Sequence, residues 1–188
     1  MFISNADLQT VLNDRQLADV ILLSEANRRQ SEQYATEEVR SYLNFQYDTD
    51  AIFGFEVFDY DVNQLYLAEQ IAVSDGGIYT AIINAPAGTA LTDTTYFEAI
   101  DGRNPIIVMI VVDLLAYHLF SRTGTNRIPQ HIIDRYEQAI KKLKEIRAKK
   151  MNPYLPIKQL AEGEAQDPNT ISNRMSILSK PKRNNFYD

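Results

Sequence analysis

The chain of 188 residues has no cysteine and no tryptophan. Without thiols there are no disulfide staples, no thiol catalysis and no thiolate-held zinc or iron-sulfur site. Only two histidines occur; His118 lies inside an oily stretch and His131 near the start of a later helix. Neither stands in an HExxH or HxH frame that would bring two imidazoles to one metal, so His118 reads as a satisfied core or interface residue. Phosphate-cradling loops of the GxxxxGKS/T type are missing, and Arg122-Thr123-Gly124-Thr125 has neither the lysine nor the glycine spacing. No serine stands in a GxSxG elbow. Asp48/Asp50 and Asp59/Asp61 are carboxylate pairs that a turn could converge on a divalent cation, but no closing Glu and glycine-bearing loop accompany them, and they read as solvated turn residues. The expectation is therefore a protein that is not an enzyme and holds no cofactor and no metal. Positive charge is also short, with 19 Lys and Arg against 25 Asp and Glu and a net charge of -6, so the molecule lacks the overall basic field of a non-specific nucleic-acid binder. The opening MFISNADLQT has no basic n-region and no apolar h-region, so no secretory signal is read and folding in a cytoplasm is expected.

What is present is ordinary globular material. Apolar residues make up 45% and charged residues 23%, enough for a true core, and at ~100 to 200 residues per domain the chain is one unit, or one unit with a small insertion. The charge is unevenly spread. Residues 1–101 hold 4 basic and 17 acidic side chains, whereas residues 127–150 hold 8 basic and 3 acidic. One end of the fold is thus expected to be acidic and one helix basic, an asymmetry suited to oriented docking or to handling a charged polymer.

Helical signals open the chain. Ser4 with Asp7 three residues on resembles a capping box, and Leu8, Val11 and Leu12 supply an apolar stripe for a short first helix. Ser24 can cap a second, longer helix in which Ala35, Val39, Tyr42 and Leu43 recur at steps of three and four, ending near Phe45 to Asp48. Asn104 and Pro105 start a third, the most apolar, since proline at the first helical position loses only a hydrogen that has no partner there. A membrane span needs ~20 apolar residues; this run meets Asp113, His118 and Arg122 first and reads as a buried central helix. Gly124 breaks it, Pro129 restarts the chain, and Ile132, Tyr136, Ile140 and Leu143 line one face of a fourth helix opposite Lys141, Lys142 and Lys144. Helices three and four are expected as an antiparallel hairpin.

Between helices two and three the period changes. Ile78 to Ile83 reads as a strand after a Ser74-Asp75-Gly76-Gly77 turn, Leu65 to Val73 as a preceding strand and Tyr96 to Ile100 as a third. After Lys150 regular patterning stops, and four of the seven prolines fall in the last 38 residues. Apolar side chains persist there: Tyr154, Leu155, Ile157, Leu160, Ile171, Met175, Ile177, Leu178, Phe186 and Tyr187, more than a solvated tail requires, which suggests an arm that orders on a partner's surface. The expected fold is therefore mainly α: a four-helix body from residues 1–58 and 102–150, a small β insertion at 59–101 and an extended C-terminal arm at 151–188.

In order and spacing the body resembles the head-tail connector, or neck adaptor, proteins of tailed bacteriophages, including a connector-like family of Mu-like prophages. The residues that carry the likeness are Met1-Phe2-Ile3 with Asp7-Leu8, then Tyr42-Leu43 with Phe45-Gln46-Tyr47-Asp48, then Asp113, Ala116-Tyr117-His118-Leu119 and Arg122, and finally Pro129, Arg135-Tyr136, Ala139 and Leu143. Gln46 stands where that family often has arginine. The resemblance implies a virion structural part: a homo-oligomeric ring, commonly of twelve copies, that docks on the portal protein in the phage neck after assembly in the host cytoplasm. It extends the DNA channel, lets DNA pass without sequence-specific binding, and offers a surface to the tail or next collar, with no membrane involved. A ring of this kind needs two unlike complementary patches on each subunit. The acidic first half and the basic fourth helix, with Lys141, Lys142, Lys144 and Arg147, offer such a pair.

A weaker likeness links Val73, Gly76, Gly77, Tyr79, Ala81 and Phe97 to small β modules of carbohydrate-binding and phage structural proteins. Phe97 or Tyr96 replaces the usual tryptophan. On that likeness an alternative function is glycan binding through a surface of Tyr79, Tyr96 and Phe97, because sugar stacking uses an exposed aromatic face. A third class, a nuclease or DNA-binding regulator, would centre on the basic helix, but no helix-turn-helix, zinc or stacking pattern accompanies its lysines.

Overall fold

Ser4 and Asp7 begin the structure as their spacing predicts. Asp7 N donates to Ser4 Oγ at 3.1 Å and Ser4 N to the Asp7 carboxylate at 2.7 Å, a reciprocal cap that starts the short helix α1, Asn5–Gln9. The computed structural model describes residues 1–13, 15–17, 25–74, 77–122 and 128–158. Met1–Lys158 is one compact unit, and the second unit, Gln159–Asp188, lies outside the described residues.

Three long helices follow from the apolar stripes. Helix α2, Glu25–Leu43, turns Ala35, Val39 and Leu43 inward; it ends before the predicted stop near Phe45 to Asp48, and its expected cap Ser24 lies outside the described residues. A single turn, α3 (Thr49–Ile52), is capped by the Asp48 carboxylate, which accepts from Asp50 N and Ala51 N. Helix α4, Pro105–Arg122, starts where expected, with Asn104 Oδ1 accepting from Ile106 N at 3.0 Å and Ile107 N at 3.3 Å. By length and composition α4 could cross a membrane, yet Ile107, Ile110, Leu114, Leu115 and Leu119 are fully enclosed by the rest of the unit. Each such side chain contributes roughly 1.5–3 kcal/mol by leaving water, which makes α4 the centre of the fold. Helix α5, Gln130–Arg147, buries Ile132, Ala139, Leu143 and Ile146. The pairs Asp113 with Arg135 and Met109 with Lys142 run in opposite chain directions, so α4 and α5 form the antiparallel hairpin.

The strands correct the expected fold class. A mainly α protein with a four-helix body is not what forms: among the described residues the structure is mixed, 47% helix and 13% strand with a four-stranded mixed sheet. Among the described residues α1 and α3 are single short turns beside three long helices. The sheet order is β1-β2-β3-β4, with β1 Val57–Asp59, β2 Ile71–Ser74, β3 Gly77–Ala81 and β4 Phe97–Glu98. Strands β1 and β2 are parallel and the other neighbours antiparallel, with Val57 opposite Ile71, Ala72 opposite Tyr79, and Ala81 opposite Phe97. Two expectations gave way for physical reasons. Val57–Asp59 is too short to show period-2 alternation, and its parallel pairing depends on a distant segment that local pattern does not reveal. Only the last part of Leu65 to Val73 is a strand, because the chain turns at Glu69, whose φ is 71°. Gly77, at φ 139°, opens β3 where a side chain would be strained.

The sheet is joined to the helices. Val57 N donates to Met1 O at 2.7 Å, and a Cβ on Gly102 would meet Phe55 at 2.8 Å, so the return from sheet to α4 is tightly fitted. The helical core is one cluster, and a second, at the sheet, is made of Tyr66, Ala72, Ala81, Ala85 and Phe97.

Candidate interaction surfaces

The helical core encloses charged side chains, and buried charge marks either a clamp or a site. Arg103 has a fully enclosed side chain. Its Nη1 donates to Phe2 O and to Asp7 at 2.8 Å, its Nη2 to Asp7 at 3.2 Å and to Asp101 at 2.8 Å, and its Nε to Asp101 at 2.9 Å. Burial alone would lower its pKa, but the bonds from Asp101 and Asp7 hold it above the ordinary value. Every guanidinium hydrogen is used within the protein, so this cluster ties the N-terminal segment to the start of α4 and leaves nothing for a ligand. Glu32 extends the same anchoring by accepting from Phe2 N and Ile3 N.

A second seam joins α2, α4 and α5. Glu38 lies 3.0 Å from His118 Nε2 through one carboxylate oxygen and accepts from Tyr136 OH at 2.9 Å through the other. Tyr136 stacks on Tyr117 with centroids 4.2 Å apart. The His118 bond, opposed by burial and helped by Tyr136, holds the Glu38 carboxyl below its usual range, whereas burial and then Glu38 push Tyr136 up to about 12. A tyrosine so raised keeps its proton at neutral pH, so the trio is a three-helix brace around a neutral phenol. In the oily helix α4, burial pushes the Asp113 carboxyl up, and Arg135, donating at 2.7 Å, brings it part of the way back. Among the described residues no group of three His, Asp or Glu could hold a metal ion; Asp48 caps α3 and Asp50 pairs with Arg40 at 2.6 Å.

The surface carries more. On α5, Lys141, Lys144 and Arg147 are exposed, and Lys142 lies partly along Met109 with Nζ 3.8 Å from its sulfur. A groove of about 330 Å³ is lined by Tyr42, Tyr136 and Ile140 together with Lys141 and Lys144 and the carboxylates Glu38 and Glu137. The lysines are legible in the sequence, whereas the apolar lining between α2 and α5 arises only from their packing.

Opposite in character is the segment between Arg40 and Arg103, which holds ten acidic residues and no Lys or Arg. Its exposed apolar residues include Leu65, Leu67, Ile82 and Ile83, each about half exposed at 54, 49, 50 and 49%. Tyr66 and Ala85 exchange backbone bonds at 2.9 and 2.7 Å, and Glu69 N donates to Ala81 O at 2.8 Å, so residues 65–70 run antiparallel to 81–85. Alternation about the buried Tyr66 turns Leu65 and Leu67 outward. That this stretch lacks basic side chains is visible in the sequence; that its leucines and isoleucines remain outside is not.

The expected glycan surface is not assembled. Phe97 is 2% exposed and packs in the sheet core with Tyr66, centroids 5.7 Å apart, while Tyr79 and Tyr96 are partly buried against the same cluster. Phe97 faces inward because it stands opposite Ala81, on the covered face of β3.

The described part of the arm, residues 151–158, lies along the helical unit. Asp48 N donates to Pro156 O at 2.9 Å, Asn104 Nδ2 to Tyr154 O at 3.0 Å and Lys158 N to Gln46 O at 3.2 Å, and Tyr47 bridges Ile157. Leu155 is correspondingly buried in the helical core and is spent there rather than offered to a partner. Tyr154 and Ile157 remain exposed. Leu160, Ile171, Met175, Ile177, Leu178, Phe186 and Tyr187 lie outside the described residues. Comparison with protein-family models, curated proteins and solved structures returns no match.

Proposed function

We propose that the chain is a non-enzymatic structural subunit that assembles side by side with copies of itself into a ring, in the manner of a head-tail connector of a tailed phage neck. The observation that carries the reading is a charge asymmetry within one unit: the stretch between Arg40 and Arg103 holds ten acidic residues and no Lys or Arg, whereas α5 carries exposed Lys141, Lys144 and Arg147. A ring needs such unlike patches, because each subunit presents one face to the neighbour on its left and another to the neighbour on its right. Support also comes from the order of Tyr42-Leu43, Phe45 to Asp48, Tyr117-His118 and Arg135-Tyr136, the residues that resemble the connector family. In this reading the portal is the docking partner, the tail or next collar follows, and an acidic channel wall lets DNA pass because like charges prevent tight phosphate contacts.

The test is sedimentation of the purified chain with isolated portal particles. Co-sedimentation as a saturating collar is expected. Failure to bind the portal, together with binding on a glycan array that Tyr79→Ala removes, would move the function to the alternative class.

A further inference from the structure

The end of α5 and the turn after it, residues 141–150, expose Lys141, Lys144, Arg147, Lys149 and Lys150, while the apolar Leu143 and Ile146 are buried. Among the described residues no ion pair holds any of the five cations. Glu137 lies in the neighbouring groove without pairing to them, and Glu38 there is engaged by His118 and Tyr136. The ordinary reason for lysine at a helix end covers only part of the cluster. The helix dipole favours cations in the last turn, which here holds Lys144 and Arg147; Lys141 stands before it, and Lys149 and Lys150 stand beyond it. The helix stops in a Schellman turn, Lys149 N donating to Ile146 O and Lys150 N to Glu145 O, both at 2.9 Å. The left-handed position of that turn, φ 57°, is occupied by Lys149, where glycine is the unstrained choice. A lysine thus stands at a strained place within a basic stretch of a chain whose net charge is -6.

The surface so formed is cationic and nearly free of apolar side chains. The centre of a protein–protein contact is apolar and aromatic and is depleted of lysine, whereas phosphate oxygens are held by Lys and Arg through charge. From Lys141 to Arg147 the helix rises about 9 Å, a length over which a duplex presents about five phosphates. We infer that the C-terminal end of α5 holds the phosphate backbone of duplex DNA through Lys141, Lys144, Arg147, Lys149 and Lys150, without reading its sequence. This goes beyond the ring reading and does not require it. A neighbouring copy's acidic stretch and a duplex would compete for the same cations, so binding is measured on the full chain without its portal.

Fluorescence anisotropy follows binding to a short random-sequence duplex between about 50 and 200 mM salt. Five phosphate contacts predict that log affinity falls on log salt with a slope of roughly −4 to −5, and a duplex of different sequence should bind within about twofold of the first. Lys141→Gln with Lys149→Gly and Lys150→Gln should weaken binding at the lowest salt roughly tenfold or more and make the slope shallower by about three. Glycine suits the left-handed position, so this variant is expected to unfold at no lower temperature than wild type by circular dichroism. A second variant, Lys144→Gln with Arg147→Gln, should make the slope shallower by about two. Wild-type affinity and slope in both variants overturn the inference, and so does a wild-type slope shallower than about −2. Tighter binding to poly-glutamate than to the duplex assigns the patch to an acidic protein surface and overturns it as well. None of these outcomes decides the ring reading, which the portal collar tests separately.

Discussion

Replacing Arg103 by Met keeps the length of the side chain and removes five hydrogen bonds from an enclosed site. Asp7 and Asp101 then face each other across the gap without their cation. Asp101 is partly exposed and can regain water, but Asp7 is buried and keeps only the Ser4 donors of its capping box. Removing one partner of a buried ion pair costs about 3–5 kcal/mol, most of it from the charge left behind. Against a typical total stability of about 5–15 kcal/mol that is a large fraction. At about 2–4 °C per kcal/mol for a chain of this size, the midpoint of thermal unfolding should fall by roughly 6–20 °C. Arg103→Lys restores the charge without the two-pronged geometry and should recover part of the loss. Unfolding followed by circular dichroism at 222 nm, a wavelength set by the peptide group, measures both. A midpoint for Arg103→Met within about 2 °C of wild type would refute the reasoning, because it would mean that Asp7 and Asp101 need no buried cation.

Acid should separate the half-buried Glu38 from the buried Asp113 by sign. The Glu38 pKa is depressed in the fold, so its contribution is present above the unfolded value and lost as pH falls through the folded one; Glu38→Gln should flatten the loss of thermal stability between neutral and acidic pH. The Asp113 pKa is raised, so its contribution is present below the unfolded value and lost as pH rises through the folded one; Asp113→Asn should change the pH slope the opposite way. Phe97→Ala empties the centre of the sheet core and should cost about 3–5 kcal/mol, seen as easier proteolysis between residues 59 and 101, and Tyr79→Ala should leave stability nearer wild type.

Which parts could be read in advance follows from how local each signal is. The Ser4–Asp7 box, the Asn104–Pro105 start and the apolar α4 each state themselves within one or two turns, and each forms as expected. The β1–β2 pair did not, since three residues of parallel strand answer to a partner a dozen or more positions away. Distance also conceals the role of Arg103, whose partner Asp7 lies 96 positions earlier in the chain. The burial of Leu155 and Phe97 is not legible in the sequence, because apolar residues in irregular or aromatic-rich segments carry no periodicity to say which way they face. The lysines of α5 were legible as charge, but the Tyr42 and Ile140 floor between them requires α2 to be laid alongside.

Electron microscopy of the purified chain bound to its portal addresses the central claim most directly. Class averages down the portal axis should show a closed annulus of identical lobes with an open middle, each lobe touching two neighbours through different sides. Particles in which the chain sits as isolated single copies, or as two-fold pairs with no central opening, would contradict it.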